Sequence, residues 1–248
     1  MRIALLTDGI TPYVTGGMQR HSFNLCRQLA RNGVQVDLYH CDPARKGART
    51  LEVFSSEERN LINGHLIEFP SFGSMPGHYI RESFEYSRRI FQRIKESTLP
   101  DFIYAKGFTA WELLHQKSKG WKGPKVGVNF HGYEMFQPAP DFIERMKQKL
   151  LLRGPVRYNV RHADVLFSYG GNVTEIIASL GVNRERIVVI PGGVDEDWVT
   201  AAAPVTHKPM RFVFVGRDER RKGLKELALA FSQLKNREDW ECHFVGEF

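Results

Sequence analysis

Short apolar, β-rich runs alternate along this chain with stretches whose apolar residues recur every three or four positions. These are the periods of a buried strand and of an amphipathic helix. Residues 2–7 have the strand pattern. Residues 18–31 bring Met18, Ser22, Leu25, Cys26, Leu29 and Ala30 to one helical face, and Gly33 supplies a natural stop. Further strands are predicted over residues 34–40, 64–69, 101–105, 125–130, 163–168 and 187–190, the last closed by Pro191-Gly192-Gly193. Helices are predicted over residues 81–97, with Glu85 and Arg89 at i and i+4, and over 109–117, 141–152 and 173–180. Gly154-Pro155 is expected to break the helix at 141–152. Residues 72–79 read equally as a plain connection or a substrate loop. Such alternation implies parallel β-α-β units and an α/β fold with a doubly wound sheet.

Residues 200–209 (TAAAPVTHKP) are small, Pro-containing and aperiodic, the character of a linker. Beyond them the pattern restarts, with a strand at 211–215, a helix at 224–235 and a strand at 241–245. The expected organisation is one domain over residues 1–199, a linker over 200–209, and the first β-α-β of a second domain over 210–248. The roughly 38 residues after the linker are few for an independent core, so the second domain is expected to be incomplete.

Composition narrows the classes. A chain of 248 residues that is 42% hydrophobic and 25% charged can build a sizeable core, which excludes a disordered or fibrous protein. Its formal charge of +7 favours anionic partners without choosing among phosphates, nucleic acid and acidic lipid. No apolar run approaches the roughly 18 residues of a membrane span, and residues 3–6 are too short for a secretory signal. Three cysteines, Cys26, Cys41 and Cys242, are odd in number and form no C-x-x-C. A reducing, cytoplasmic compartment fits, without disulfides or a structural zinc.

Several groups carry chemistry. Gly16-Gly17 stands between the first strand and the first helix, where a tight turn lets exposed N–H groups approach an anion; a plain βα turn reads the same way. The spacing is neither that of a dinucleotide fingerprint nor that of a P-loop. Arg217 and Lys222 lie five positions apart after a strand, with Gly223 opening a helix. They suit a diphosphate clamp or a solvated basic turn. His131, in His131-Gly132-Tyr133-Glu134, follows the strand at 125–130, where open α/β sheets place ligand contacts; local hydrogen bonds alone also explain such a histidine. Asp195-Glu196-Asp197 reads better as a turn cap than as a hard-cation site. The helix at 141–152 aligns Phe142, Met146 and Leu150 on one face, with Arg145, Lys147 and Lys149 elsewhere on its surface. That pattern favours the cover of a core over a helix lying on an anionic membrane.

Taken in order, these motifs resemble one family. They are Gly16-Gly17-Met18-Gln19-Arg20-His21, Phe130-His131-Gly132-Tyr133-Glu134, Val189-Ile190-Pro191-Gly192-Gly193-Val194-Asp195, and Val215-Gly216-Arg217 with Lys222-Gly223. The chain looks like the retaining, nucleotide-sugar-dependent GT-B glycosyltransferases of family 4. The resemblance implies two Rossmann-like domains, the N-terminal one holding the acceptor and the C-terminal one the donor. It implies that Gly16 and Gly17 lie near the donor diphosphate and sugar, and that His131 contacts the donor sugar. It also implies that Arg217 and Lys222 bind the departing diphosphate. His21, Tyr133 and Glu134 become acceptor-side candidates. No metal or other cofactor is expected, and the partners are a nucleotide-diphosphate sugar and a glycan or lipid-linked acceptor of polysaccharide or cell-envelope synthesis. A peripheral contact with the inner face of an anionic membrane is compatible with this. Two departures stand out. Gly192 occupies a position where the family often has Asn, a tolerable change if both adopt positive φ. The family's Glu-x7-Glu motif has no counterpart among the glutamates here, so an acceptor domain plus the start of a donor domain is expected.

Three other classes compete. A non-catalytic module binding an anionic glycan or lipid follows if the donor domain is incomplete. A nucleic-acid-binding protein needs a basic stripe or reading helix, and no such motif occurs. A metal-dependent transferase would rest on Asp195-Glu196-Asp197.

Overall fold

Strand β1 (Arg2–Leu6) shows how the sequence builds two layers. Successive side chains point to opposite faces of a strand. Ile3 and Leu5 enter one apolar cluster with Val36, Leu38 and Tyr104, while Ala4 and Leu6 enter another with Ile103, Val126 and Val128. A strand buried on both faces needs apolar residues throughout, hence the continuous run. The computed structural model describes residues 1–42, 51–193, 199, 209–216, 222–234 and 237–246.

The described residues divide into two compact units. The larger holds β1, β2 (Gln35–His40), β3 (Ile62–Leu66), β4 (Phe102–Lys106), β5 (Lys125–Asn129), β6 (Val165–Ser168) and β7 (Ile187–Val189). All are parallel, in the order β3-β2-β1-β4-β5-β6-β7. This is a Rossmann-like, doubly wound sheet whose direction of growth reverses between β1 and β4. Helix α1 (Gly17–Arg31) buries Ser22, Cys26 and Ala30. Helix α2 (Ser56–Arg59), which sequence periodicity misses, is set by a reciprocal capping box between Ser55 and Glu58. On the other face α3 (His78–Lys95) buries Tyr86, Ile90, Phe91 and Ile94, and α4 (Trp111–Ser118) buries Leu113 and Leu114. Burying an aliphatic side chain such as Ile90 is worth about 1.5–3 kcal/mol. In β5, Gly127 lies between two rings: a Cβ there would stand 2.4 Å from Phe167 and 2.7 Å from Phe102.

Several boundaries differ from the pattern. The expected strand at 64–69 runs instead over Ile62–Leu66, because Asn63 donates to Asp37 and pairs in register despite its polarity. Helix α3 starts at His78, inside the stretch read as a loop, after Gly77 turns the chain at φ 83°. Gly154-Pro155 does not break a helix. Helix α5 (Phe142–Lys147) passes through a π-helical turn (Gln148–Leu152) into α6 (Arg153–His162). Pro155 falls in the first turn of α6, where its missing N–H is tolerated. Ile143 and Leu150 are each 68% exposed rather than covering a core. Gly192 and Gly193 do not take positive φ. The sheet is completed by α7 (Gly171–Ser179) before β7.

The second unit contains β8 (Met210–Val215), α8 (Leu224–Ser232) and β9 (Trp240–Val245), with β8 and β9 parallel. Residues 200–208 of the expected linker lie outside the described residues. Among the described residues no helix is long and apolar enough to cross a membrane.

Candidate functional site

Ligands of open parallel sheets sit beyond the carboxyl ends of the strands, where the winding direction reverses. Here that crest is formed by the residues after β1, the end of β4, and the residues after β5 and β6. Tyr86 on α3 donates its hydroxyl to the Thr7 carbonyl at 2.9 Å, and the Thr7 hydroxyl lies 2.9 Å from that of Ser22 on α1, which together fix the end of β1 between the two helices. Asp8 follows, accepting from Gln19 Nε2 at 3.0 Å. Burial raises the pKa of Asp8, partly opposed by that hydrogen bond and by the charge of Lys106. Gly16 caps α1, and Gly17 opens it with open space where a Cβ would stand. The first turn of α1 carries no acidic residue, so its N–H groups face the crest without a competing carboxylate.

Lys106 ends β4 and is fully buried. Its Nζ lies 2.9 Å from His21 Nδ1 on α1 and 3.3 Å from His131 Nε2 after β5. The Tyr104 ring stands 5.1 Å from the same atom. Tyr169, after β6, places its hydroxyl 3.2 Å from His131 Nδ1 and 3.3 Å from Nε2. The His21 and His131 rings meet edge-on at 5.2 Å. Burial, and then the nearby Lys106 charge, push His21 down to about 4 and His131 down to about 3. Burial brings Lys106 itself down to about 7, against the attraction of Asp8. The crest therefore offers two neutral imidazoles, a phenol and one titrating amine: hydrogen-bonding groups rather than a charged histidine acid.

Beside this cluster, over the ends of β1, β2 and β3, opens a cleft of about 880 Å³. Its described lining includes Asp8, Asp42, Glu68 and Glu82, with Gln19 and His78, and no lysine or arginine. Glu82 is held by the Phe72 N–H at 2.7 Å and by His78 at 2.9 Å. Asp8 thus belongs to both the cleft and the crest. Among the described residues no three histidine, cysteine or acidic side chains are grouped to hold a metal.

The structure brings Gly16, Gly17, His21 and His131 to one crest. Tyr133 does not join them. It is fully buried, with its ring against Phe130 and Phe136 and its hydroxyl without a partner among the described residues. Glu134 is exposed on the following 3-10 turn (Glu134–Phe136). Lys222 is exposed in the second unit, just before Gly223 caps α8 at φ 74°. Arg217 and Asp195-Glu196-Asp197 lie outside the described residues. Sequence reading missed Asp8, Lys106 and Tyr169. Each sits at the carboxyl end of a strand, and Tyr169 precedes Gly170-Gly171 as the chain enters α7, which echoes the Gly16-Gly17 signal.

Residues 15–198 match the family model described as Glycosyltransferase Family 4. No curated protein matches the sequence. Among solved structures, the chain is similar to the apo form of the lipopolysaccharide outer core galactosyltransferase WaaB, at 17% identity and a TM-score of 0.58. It is similar to sucrose-phosphate synthase from Thermosynechococcus elongatus at 13% identity and 0.67. It is also similar to a putative UDP-N-acetylglucosamine 2-epimerase from Listeria monocytogenes at 14% and 0.60. All of this chain is covered in each case, against 61% of the galactosyltransferase, 70% of the synthase and 63% of the epimerase. At these identities the likeness is one of fold, and it is the GT-B fold.

Proposed function

Because this chain belongs to glycosyltransferase family 4, we propose that it takes part in moving a sugar from a nucleotide-diphosphate sugar to a hydroxyl of a glycan or lipid-linked acceptor. Retention of anomeric configuration and a place in polysaccharide or cell-envelope synthesis belong to the same reading. The observation that carries it is the crest. A helix N-terminus formed by Gly16, packed against the Gln19 side chain, and Gly17, open on its Cβ side, stands beside His131 and His21 at the point where the sheet reverses direction. The bare N–H groups of α1 suit the donor's phosphates and sugar, and neutral His131 suits a sugar hydroxyl. The family resemblance assigns to Arg217 and Lys222 the diphosphate as it leaves, where negative charge develops most. In the step, the anomeric carbon–phosphate oxygen bond breaks and the acceptor oxygen–carbon bond forms on the same face. The acceptor proton passes to the departing phosphate oxygen. No metal is assigned.

The cleft supports one side of the acceptor question. A described lining with four carboxylates and no lysine or arginine suits a neutral or amine-bearing polyhydroxyl acceptor.

The test is to incubate the protein with UDP-, GDP- and ADP-sugars and a panel of neutral and amino glycans, and to read nucleoside diphosphate release and product anomers by NMR. A glycosylated product that depends on His131, lost in His131→Ala, is expected. Interconversion of the nucleotide sugar without transfer, or glycan binding with no turnover of any donor, would overturn the reading.

A further inference from the structure

Lys106 is the feature that the proposed function leaves unexplained. It is fully buried at the end of a central strand, and among the described residues no carboxylate lies within ion-pairing distance of its Nζ. A buried lysine without an ion pair is destabilising and needs a reason. Its two closest polar partners are both imidazole nitrogens.

We infer that Lys106 is a positioning residue that sets where the histidine protons lie, holding His131 as the neutral form protonated on Nδ1 and His21 as the neutral form protonated on Nε2. An ammonium has three hydrogens to donate and no lone pair to accept with. The nitrogens facing it, His131 Nε2 and His21 Nδ1, must therefore both be bare acceptors. The single proton of each neutral ring then falls on the other nitrogen. For His131 that is Nδ1, 3.2 Å from the Tyr169 hydroxyl. Lys106 and His131 form a chain in which the lysine donates to the imidazole, beside a Tyr169 hydroxyl that lies 3.2 Å from Nδ1 and 3.3 Å from Nε2 and so leaves the choice of nitrogen to the lysine. The ammonium also opposes a second proton on either ring, in keeping with the depression of both histidines.

The groups facing this chain come from four elements and their following loops. Asp8 after β1 attracts the lysine charge, His21 faces it from α1, the Tyr104 ring lies along it on β4, and Tyr169 closes the far side after β6. None supplies a proton acceptor closer to Nζ than the two imidazoles. As pH rises through about 7 the ammonium becomes an amine with a lone pair, and the tautomer constraint relaxes. This inference rests on the proposed function for its consequence, that His131 meets the donor uncharged and with its Nδ1–H, not Nε2, as the group that can donate to a sugar hydroxyl. The proton arrangement itself does not depend on transfer.

The test is long-range ¹H–¹⁵N correlation of the histidine rings in the whole labelled protein near pH ~6, where an ordinary histidine is largely charged. Expected are neutral His131 with a proton-bearing Nδ1 and a bare Nε2, and neutral His21 with the reverse. In Lys106→Met the constraint is gone, and the His131 midpoint should rise by at least ~1 pH unit with a change of tautomer. A proton on His131 Nε2 in the unaltered protein, a charged His131 near that pH, or an unmoved tautomer and midpoint in Lys106→Met would each overturn the inference. The first two need no variant. Absence of sugar transfer alongside the expected ring spectrum would reject the transfer reading while upholding this one.

Discussion

Replacing Lys106 by methionine should make the protein more stable. Methionine is also long and unbranched, so it fills the same channel without the amine. Lys106 sits at about 7 in the folded chain, against about 10.4 when unfolded, a displacement that corresponds to about 4–5 kcal/mol disfavouring the fold at neutral pH. The substitution also removes the contacts to His21 and His131, each worth about 1 kcal/mol. The net expectation is a gain of about 2–3 kcal/mol at pH 7, in line with apolar replacement of other buried charges. The sign of the pH dependence follows from the depressed value. Between the folded and unfolded midpoints the unfolded chain binds more protons, so stability from this group rises with pH. The gap between Lys106→Met and the unaltered protein should narrow by about 2 kcal/mol from pH 7 to pH 9. Urea unfolding of both proteins across that range measures it. Cys26 and Cys41, whose thiols burial pushes upward, are present in both and cancel in the difference. A less stable variant at pH 7, or a gap constant with pH, would refute the reasoning.

Two further substitutions test the frame. Gly127→Ala places a methyl 2.4 Å from Phe167 and 2.7 Å from Phe102 in the middle of the sheet, and should lower stability by about 1–3 kcal/mol in the same urea assay. Asp37 is buried; desolvation pushes its carboxyl up, but hydrogen bonds from His65, Arg2 and Asn63 outweigh it and bring it to about 2. Its contribution of about 2 kcal/mol is therefore present above the unfolded carboxylate midpoint near ~3.9 and is lost as pH falls toward the folded value. Asp37→Asn should remove that contribution and flatten the acid limb of the stability profile between pH ~4 and ~2.

The sheet was legible because its central strands are apolar on both faces, and that pattern has few other solutions. Residues 2–7, 34–40 and 125–130 therefore landed within a residue or two of β1, β2 and β5. The edge strand β3 was misplaced because Asn63 and Gly64 break the apolar pattern, while backbone pairing to β2 and the Asn63–Asp37 contact hold it in register. Pro155 misled because a proline forbids a helix interior but not a first turn, and only the π-helical turn before it makes that position a first turn.

The site was legible only where its residues stand next to each other in the chain. Gly16 and Gly17 announce themselves as a pair, and His131 follows a strand. Reading onward from His131 to Tyr133 fails, because the short helical turn after β5 sends that ring into the core and exposes Glu134. The true neighbours of His131 are 25 and 38 positions away. Lys106 was hidden for a further reason. A charged residue after an apolar run normally marks the place where a strand leaves the core, so the pattern ends the strand at Ala105. Here the strand carries the lysine inside, against stability, and the compensation lies in His21 and His131, on two other elements. A local conflict of this kind, an unpaired cation that nothing in its own segment explains, is where sequence reasoning is expected to fail and where a functional constraint is most economically placed. The conflict is resolved when His131 is the group that must stay neutral, since the Lys106 charge adds to the burial that already depresses both imidazoles, a contribution that an apolar residue at that position does not make.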